Sequence, residues 1–188
     1  MKKYKYILFD LDGMMVNTDA GVFNCVCYAH EKLGYPVPDT ETLKKYMGPP
    51  LKYSFVNFSG MTAEESEQAL AFYRERYSVT GLYEGHVFDG IPELLKALKE
   101  SGVLLGTATS KPEEYAKKIL EHFDIAKYFD KITGATFGDS RAHKVGIACF
   151  GVYMDCAEEG EHEQAGADYV AHGVKELTEA LLVHPADA

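Results

Sequence analysis

An α/β architecture, with a mostly parallel sheet interrupted by a long all-helical insert, is predicted by three features of this sequence. Apolar segments of strand length alternate with amphipathic helical segments from about residue 91 to residue 182. A strand-like run over residues 4–9 ends abruptly in two acids, Asp10 and Asp12. Residues 17–84 then hold several helical patterns and no convincing strand. Alternating strands and helices require crossover connections, which place helices on the faces of a parallel sheet. The helical stretch reads as an insertion into that scheme.

The elements follow in order. Residues 4–9 (Tyr-Lys-Tyr-Ile-Leu-Phe) form a strand that becomes fully buried at Ile7–Phe9. Asp-Leu-Asp-Gly is the turn after it. Residues 19–33 are helical, because Val22, Val26, Ala29 and Leu33 recur at spacings of three and four. Gly34, Pro36 and Pro38 end that helix. A second helix covers 40–46, with Asp39 or Thr40 as N-cap. Gly48-Pro49-Pro50 is a rigid break before a short helix over 51–58. Thr62 and Glu65 have the spacing of a capping box and open a helix that continues to about Tyr77.

Beyond residue 84 the pattern changes. Ile91–Glu100 is a helix with Pro92 near its start. Val103–Thr109 is a buried-type strand, Pro112–His122 a helix, and Lys131–Thr136 and Ala148–Met154 are further strands. Glu158–Gln164 is a short helical stretch, Tyr169–Val170 a short edge strand, and Val174–Leu182 a closing helix. Residues 1–16 and 85–188 therefore make one α/β core, and residues 17–84 a helical insert.

Composition narrows the function. The chain has 188 residues, of which 46% are hydrophobic and 26% charged, an ordinary balance for a soluble globular protein. No apolar run approaches the roughly 20 residues that span a bilayer, so no membrane partner is expected. Asp10 and Asp12 interrupt the short apolar N-terminus too early for a signal peptide. The net charge of −10 argues against broad contact with nucleic acid. Any phosphate site on so acidic a chain must be made locally positive, by a metal, lysines or helix N-termini. Cys25, Cys27, Cys149 and Cys156 include no C-x-x-C pair. Buried free thiols and a reducing, cytoplasmic location fit them.

Three segments carry chemistry. In Ile7-Leu8-Phe9-Asp10-Leu11-Asp12-Gly13 a buried strand delivers two carboxylates to its carboxyl end, where α/β sheets bind ligands. Two such carboxylates repel unless a cation or proton lies between them. Gly13 lets the chain turn sharply. A solvated turn with two capping acids is the alternative. In Gly106-Thr107-Ala108-Thr109-Ser110-Lys111-Pro112 a strand runs through hydroxyls into a helix, a pattern that suits anion binding or simple N-capping by Ser110. Asp139-Ser140-Arg141-Ala142-His143-Lys144 follows the next strand, and Lys144 could neutralise charge on a transferring phosphoryl group.

That order of segments resembles the haloacid dehalogenase superfamily, within it the phosphoglycolate-phosphatase-like branch with a helical cap. Phe9-Asp10-Leu11-Asp12-Gly13 resembles its first motif, Ala108-Thr109-Ser110-Lys111-Pro112 its second, and Lys144 the lysine of its third. Gly48-Pro49-Pro50-Leu51 resembles a cap loop. The resemblance implies a Rossmann-like core and a Mg²⁺-dependent phosphatase acting on a small phosphorylated metabolite. It implies Asp10 as nucleophile, forming an aspartyl phosphate. It implies Asp12 as the acid that protonates the leaving alcohol and then activates water. Thr109, Ser110 and Gly13 would bind phosphate, and Lys144 would stabilise charge and orient Asp10. Mg²⁺ would sit on the Asp10 carboxylate and the backbone oxygen of Asp12. The cap loop, with Lys52, would bear on specificity, or Lys52 would simply belong to a packed helix start.

The chain departs from the family pattern twice. Met14-Met15 stands where the family has Thr-Leu, so a loop-ordering hydroxyl is lost. After Lys144 roughly thirty residues of the pattern are missing, about two helices and a strand. They include a fourth motif whose acids complete the metal site. Residues omitted from the sequence would account for this, as would a true deletion that impairs the enzyme. A third account moves the Ala148–Met154 strand into the vacant position, where Asp155, with Glu159 four residues later, would replace the lost acids. An impaired relative that binds phosphate or a partner, and a phosphomutase of the same fold, are the alternative functions. A receiver-type fold also pairs acids at a strand end, but the helical insert speaks against it.

Overall fold

A computed structural model describes residues 4–135, 150–154, 160–164 and 167–182. They fall into two compact units, one drawn from Met1–Asn17 and His86–Ala188, the other from Thr18–Gly85.

The first unit carries the sheet. Strands β1 (Tyr6–Phe9) and β4 (Leu104–Thr107) run parallel, with Tyr6 opposite Leu104 and Phe9 opposite Thr107. Strands β2 (Val16–Asn17) and β3 (His86–Val87) form a two-residue antiparallel ribbon. Strands β5 (Phe150–Val152) and β6 (Tyr169–Ala171) pair in parallel. Helices α5 (Ile91–Glu100) and α6 (Glu113–His122) flank β4 in sequence, and α7 (Glu161–Gln164) and α8 (Val174–Leu182) flank β6. The apolar faces of α5 and α6 supply much of the core: Ile91, Leu94, Leu95, Leu98, Ile119 and Leu120 are almost wholly buried. Each such side chain contributes about 1.5–3 kcal/mol of hydrophobic stabilisation.

Three expectations need correction in this unit. Strand β1 is not fully buried over Ile7–Phe9: Leu8 is 51% exposed and Tyr6 61%, while Phe9 is buried. Alternate residues of a strand share a face, and the Tyr6–Leu8 face, with exposed Leu104 beside it, is an apolar strip in keeping with a core opened on that side. Residues 131–135 do not form the expected regular strand. They run beside β4 through isolated bridges, Gly106 to Lys131 and Pro112 to Ala135. Between these, side chains replace the backbone ladder. The Thr133 N–H donates to Thr107 Oγ1 (2.7 Å), which donates to the Thr133 carbonyl (2.7 Å), and Thr133 Oγ1 donates to the Thr107 carbonyl (2.5 Å). Finally, among the described residues β5 is hydrogen-bonded to β6 and not to β1, so Phe150–Val152 does not pair with the first strand as the vacant position would require. The rings of Tyr4 and Phe150 meet edge-on (5.7 Å) at the start of the chain.

The second unit is helical: α1 (Asp19–Leu33), α2 (Thr40–Lys44), α3 (Leu51–Ser59) and α4 (Ala63–Tyr77), closed by a 3₁₀ turn at Gly81–Tyr83. The Asp39 side chain accepts the Thr42 N–H and caps α2. Thr62 and Glu65 form the reciprocal capping box at α4, of a kind in which the cap alone contributes about 1 kcal/mol. Helices α1 and α4 pack along Val22, Cys25, Val26 and Ala29 on one side and Ala69, Leu70, Tyr73 and Tyr77 on the other. Cys25 is a buried free thiol, and burial raises its pKa, which keeps it protonated and inert. Arg76 makes a two-bond clamp on Glu84 (2.6 and 2.8 Å), which holds the Glu84 carboxyl below its ordinary pKa.

His30 is buried inside this unit. Its Nδ1 lies 2.8 Å from the Val26 carbonyl and its Nε2 2.7 Å from Ser59 Oγ, which Tyr46 OH also reaches at 2.5 Å. A neutral ring satisfies the set: Nδ1–H donates to Val26 O, and Nε2 accepts from the serine. Burial lowers the His30 pKa, and the Val26 bond offsets this only in part. The unfolded chain thus takes up a proton that the folded one resists. The stabilisation is complete above the ordinary value of 6.5 and is lost as pH falls below it. Melting temperature is expected to drop between pH 7 and 5 by more in the native protein than in His30→Gln, because only the native protein carries a group that takes up a proton more readily when unfolded. Equal pH slopes for the two proteins would count against this account.

Candidate active site

β1 and β4 lie side by side and in register, so the turns that leave their carboxyl ends open on the same edge of the sheet. Asp10 follows β1 directly, and its Oδ1 accepts the Leu11 N–H at 2.7 Å, which fixes the carboxylate relative to the backbone. The Ala108 N–H donates to the Phe9 carbonyl (2.8 Å) and extends the pairing one step past the strands.

The loop after Asp10 is held by its own backbone. Gly13 has φ +70°, the left-handed turn its residue type permits. Its N–H donates to Val16 O (3.0 Å), and the N–H groups of Met15 and Val16 both donate to Leu11 O (3.1 and 3.0 Å). Leu11 and Met15 are fully buried, and the Met15 carbonyl accepts the Phe88 N–H (3.1 Å). Met15, at the position of the family's Leu, therefore anchors the loop through packing and backbone bonds.

The second turn runs from Thr109 to Glu113. Thr109 is buried and its Oγ1 accepts the Lys111 N–H (3.1 Å). Ser110 is exposed and makes no capping bond to α6, which begins after Pro112 as N-cap. The capping alternative for Ser110 is thereby removed. The turn is tied to residues 131–135 by two bonds: Ala135 N–H to Lys111 O (3.0 Å) and Glu113 N–H to Ala135 O (3.1 Å). Gly134 makes this approach feasible. A Cβ there would collide with the Lys111 carbonyl oxygen and stand 2.8 Å from the Glu113 nitrogen.

The two turns meet through a residue to which the sequence reading gave no role. Lys111 Nζ lies 3.2 Å from Asp12 Oδ1, and the lysine side chain is only 9% exposed. Its one sequence signal was a lysine directly after Thr109-Ser110. Asp10, Asp12, Gly13, Thr109 and Ser110 all belong to the two turns that open on this edge. Lys144, Asp155 and Glu159 lie outside the described residues. Lys52, in the helical unit, forms an ion pair with Glu67 across α3 and α4.

Among the described residues no group of three or more His, Cys, Asp or Glu side chains could hold a metal ion. Two hard oxygen donors, the Asp10 carboxylate and the Asp12 backbone, do suit Mg²⁺, which commonly takes one or two carboxylates and fills its remaining positions with water and substrate phosphate. A cleft of about 460 Å³ lies in the first unit and is lined by His86, Phe88, Asp89, Tyr153 and His172 among others. None of the described site residues is among those that line it.

Comparison with known proteins bears on this geometry. The model of a family described as haloacid dehalogenase-like hydrolase matches residues 7–144, so the match ends at the lysine after which the pattern is interrupted. The chain is 43% identical over 142 residues to a 5'-nucleotidase of Pseudomonas aeruginosa, covering 76% of this chain and 64% of that protein. It is 37% identical over 141 residues to the tyrosine-protein kinase PtkA of Mycobacterium tuberculosis, covering 75% and 48%. The chain thus spans about half to just under two thirds of these relatives. A solved haloacid dehalogenase-like family hydrolase from Streptococcus pneumoniae superposes with a TM-score of 0.84 at 27% identity, over 94% of this chain and 98% of that one. The α/β fold with its parallel sheet is the fold of those proteins.

Proposed function

The chain belongs to the haloacid dehalogenase-like hydrolase family, and on that premise we propose that it is a phosphoric monoester hydrolase that works through Asp10. The observation that carries this reading is the junction of the β1 and β4 turns, where a backbone-oriented aspartate, a second acid and a buried threonine hydroxyl open on one edge.

Asp10 attacks phosphorus in line with the leaving oxygen and becomes an aspartyl phosphate. The bond from Leu11 N–H to Oδ1 restrains rotation of the carboxylate. Asp12 gives its proton to the departing alcohol and then takes one from the water that cleaves the acyl phosphate. Thr109 Oγ1 already accepts from Lys111 N–H, which leaves its own hydrogen for a phosphoryl oxygen. Ser110 and the Gly13 backbone stand on the same edge as further phosphate donors. Lys144 is proposed to stabilise the phosphoryl charge. Mg²⁺, held by the Asp10 carboxylate and the Asp12 backbone oxygen with Asp155 as a candidate further ligand, would supply charge neutralisation between carboxylate and phosphate. The core of residues 1–16 and 85–188 would carry the chemistry, and the helical residues 17–84 would serve as a cap for a small phosphorylated metabolite.

A second reading, a relative that binds phosphate or a partner without turnover, is favoured by the end of the family match at Lys144 and by a donor set that, among the described residues, offers one carboxylate and one backbone oxygen. Hydrolysis of an aryl phosphate separates the two. Turnover that disappears with chelator and returns with added Mg²⁺ is the expected result. A folded protein with no turnover at millimolar Mg²⁺ would transfer the assignment to the non-hydrolytic relative.

A further inference from the structure

We propose that Lys111 is the positioning residue for Asp12: it holds the acid in the orientation from which it protonates the leaving group. The inference rests on the hydrolase reading above and adds to it a residue outside the expected catalytic set.

The geometry is that of a built contact. Lys111 Nζ stands 3.2 Å from Asp12 Oδ1, within a lysine side chain that is 9% exposed and an aspartate side chain that is 30% exposed. A surface ion pair between two long, mobile side chains orients little. Here both ends are restrained. The Lys111 backbone is fixed on each side, its N–H by Thr109 Oγ1 (3.1 Å) and its carbonyl by the Ala135 N–H (3.0 Å). Asp12 bridges to Val16 inside a loop whose neighbours Leu11 and Met15 are fully buried. The ammonium is therefore delivered from a rigid turn to one named carboxylate oxygen.

The chemistry gives that contact a purpose. Asp10 and Asp12 are two acids one residue apart at a strand end, and a cation beside one relieves their repulsion. An ammonium is a strongly hydrated point charge with three donors, and from a buried stem it constrains carboxylate rotation. Removing Lys111 would loosen the Asp12 carboxylate, and the step that suffers is proton delivery.

This makes a signature that loss of structure does not share. A good leaving group departs without help, whereas a poor one needs the acid. The ratio of kcat/KM for 4-nitrophenyl phosphate to that for phenyl phosphate, taken on one preparation, is independent of how much of the protein is folded. In Lys111→Met that ratio is expected to rise about tenfold or more, with phenyl phosphate turnover falling ~100-fold. Asp12→Asn should bias the ratio in the same direction, and Lys111→Arg should restore part of it. An unchanged ratio in Lys111→Met, alongside a raised one in Asp12→Asn, would overturn the positioning role and leave the hydrolase reading intact. Turnover by the native protein that survives in Asp10→Asn would overturn both.

Discussion

Asp10→Asn is expected to lower kcat for an aryl phosphate by at least about a thousandfold, because an amide cannot attack phosphorus and the acyl phosphate never forms. The substitution is nearly isosteric. The amide oxygen can still accept the Leu11 N–H that Oδ1 now accepts at 2.7 Å, so the turn keeps its anchor. It also removes one of two neighbouring acids, which relaxes rather than strains the loop. The variant should therefore melt at or slightly above the native temperature while losing activity. Steady-state kinetics beside a thermal melt tests both halves. Activity within tenfold of native would remove Asp10 as the nucleophile, and a melting temperature many degrees lower would show that its role is structural.

Gly134→Ala should be the most damaging single-methyl change near the site. The added Cβ would meet only backbone: the Lys111 carbonyl oxygen, the Glu113 nitrogen at 2.8 Å and the Glu113 Cα at 2.9 Å. No rotamer change can relieve such contacts, so the strand-side segment must retreat. That breaks the two bonds tying Ala135 to Lys111 and Glu113. Overpacking together with two lost hydrogen bonds costs about 2–6 kcal/mol. The same retreat would withdraw Lys111 from Asp12, so activity should fall along with stability. Gly106→Ala is the control. Its Cβ would stand 2.9 Å from Leu8 Cδ2, the end of a flexible and half-exposed side chain that can move aside. Denaturant titration of both variants decides the matter. A Gly134→Ala protein within about 0.5 kcal/mol of native, the range of an inconsequential surface change, would show that the turn is not closely packed.

The helices were legible because their signals are local. Asp19–Leu33, Ala63–Tyr77 with its Thr62 cap, Ile91–Glu100 and Val174–Leu182 follow periodicity and capping alone. What escaped depends on partners distant in sequence. The β2–β3 ribbon has two residues per strand, too few for any period to appear. The apolar run at Ile7–Phe9 predicts burial on both faces, yet Leu8 is half exposed, since burial depends on what lies opposite. At 131–135 the residues are strand-like, but Thr107 and Thr133 satisfy one another through hydroxyls, an exchange that single-strand patterns do not encode. In the site, the acid pair and Thr109 could be read from a strand ending in polar residues. Lys111 could not, because its importance arises only when the β4 turn is set beside the β1 turn.

The ribbon of Val16–Asn17 against His86–Val87 has a consequence for how such a chain can diversify. The strand residues that precede the helical unit and those that follow it are hydrogen-bonded to each other, so the unit leaves from and returns to a single zipped port. To the sheet, everything between Asn17 and His86 is one closed loop. Lengthening a closed loop is inexpensive in chain entropy, about 0.6 kcal/mol for each doubling. A tight turn, a few helices or a whole foreign domain could be grafted onto the same two-residue stem without changing the path of β1 or the turn that bears Asp10. The edge that bears Asp10 and the helical unit are thereby separable by a single splice.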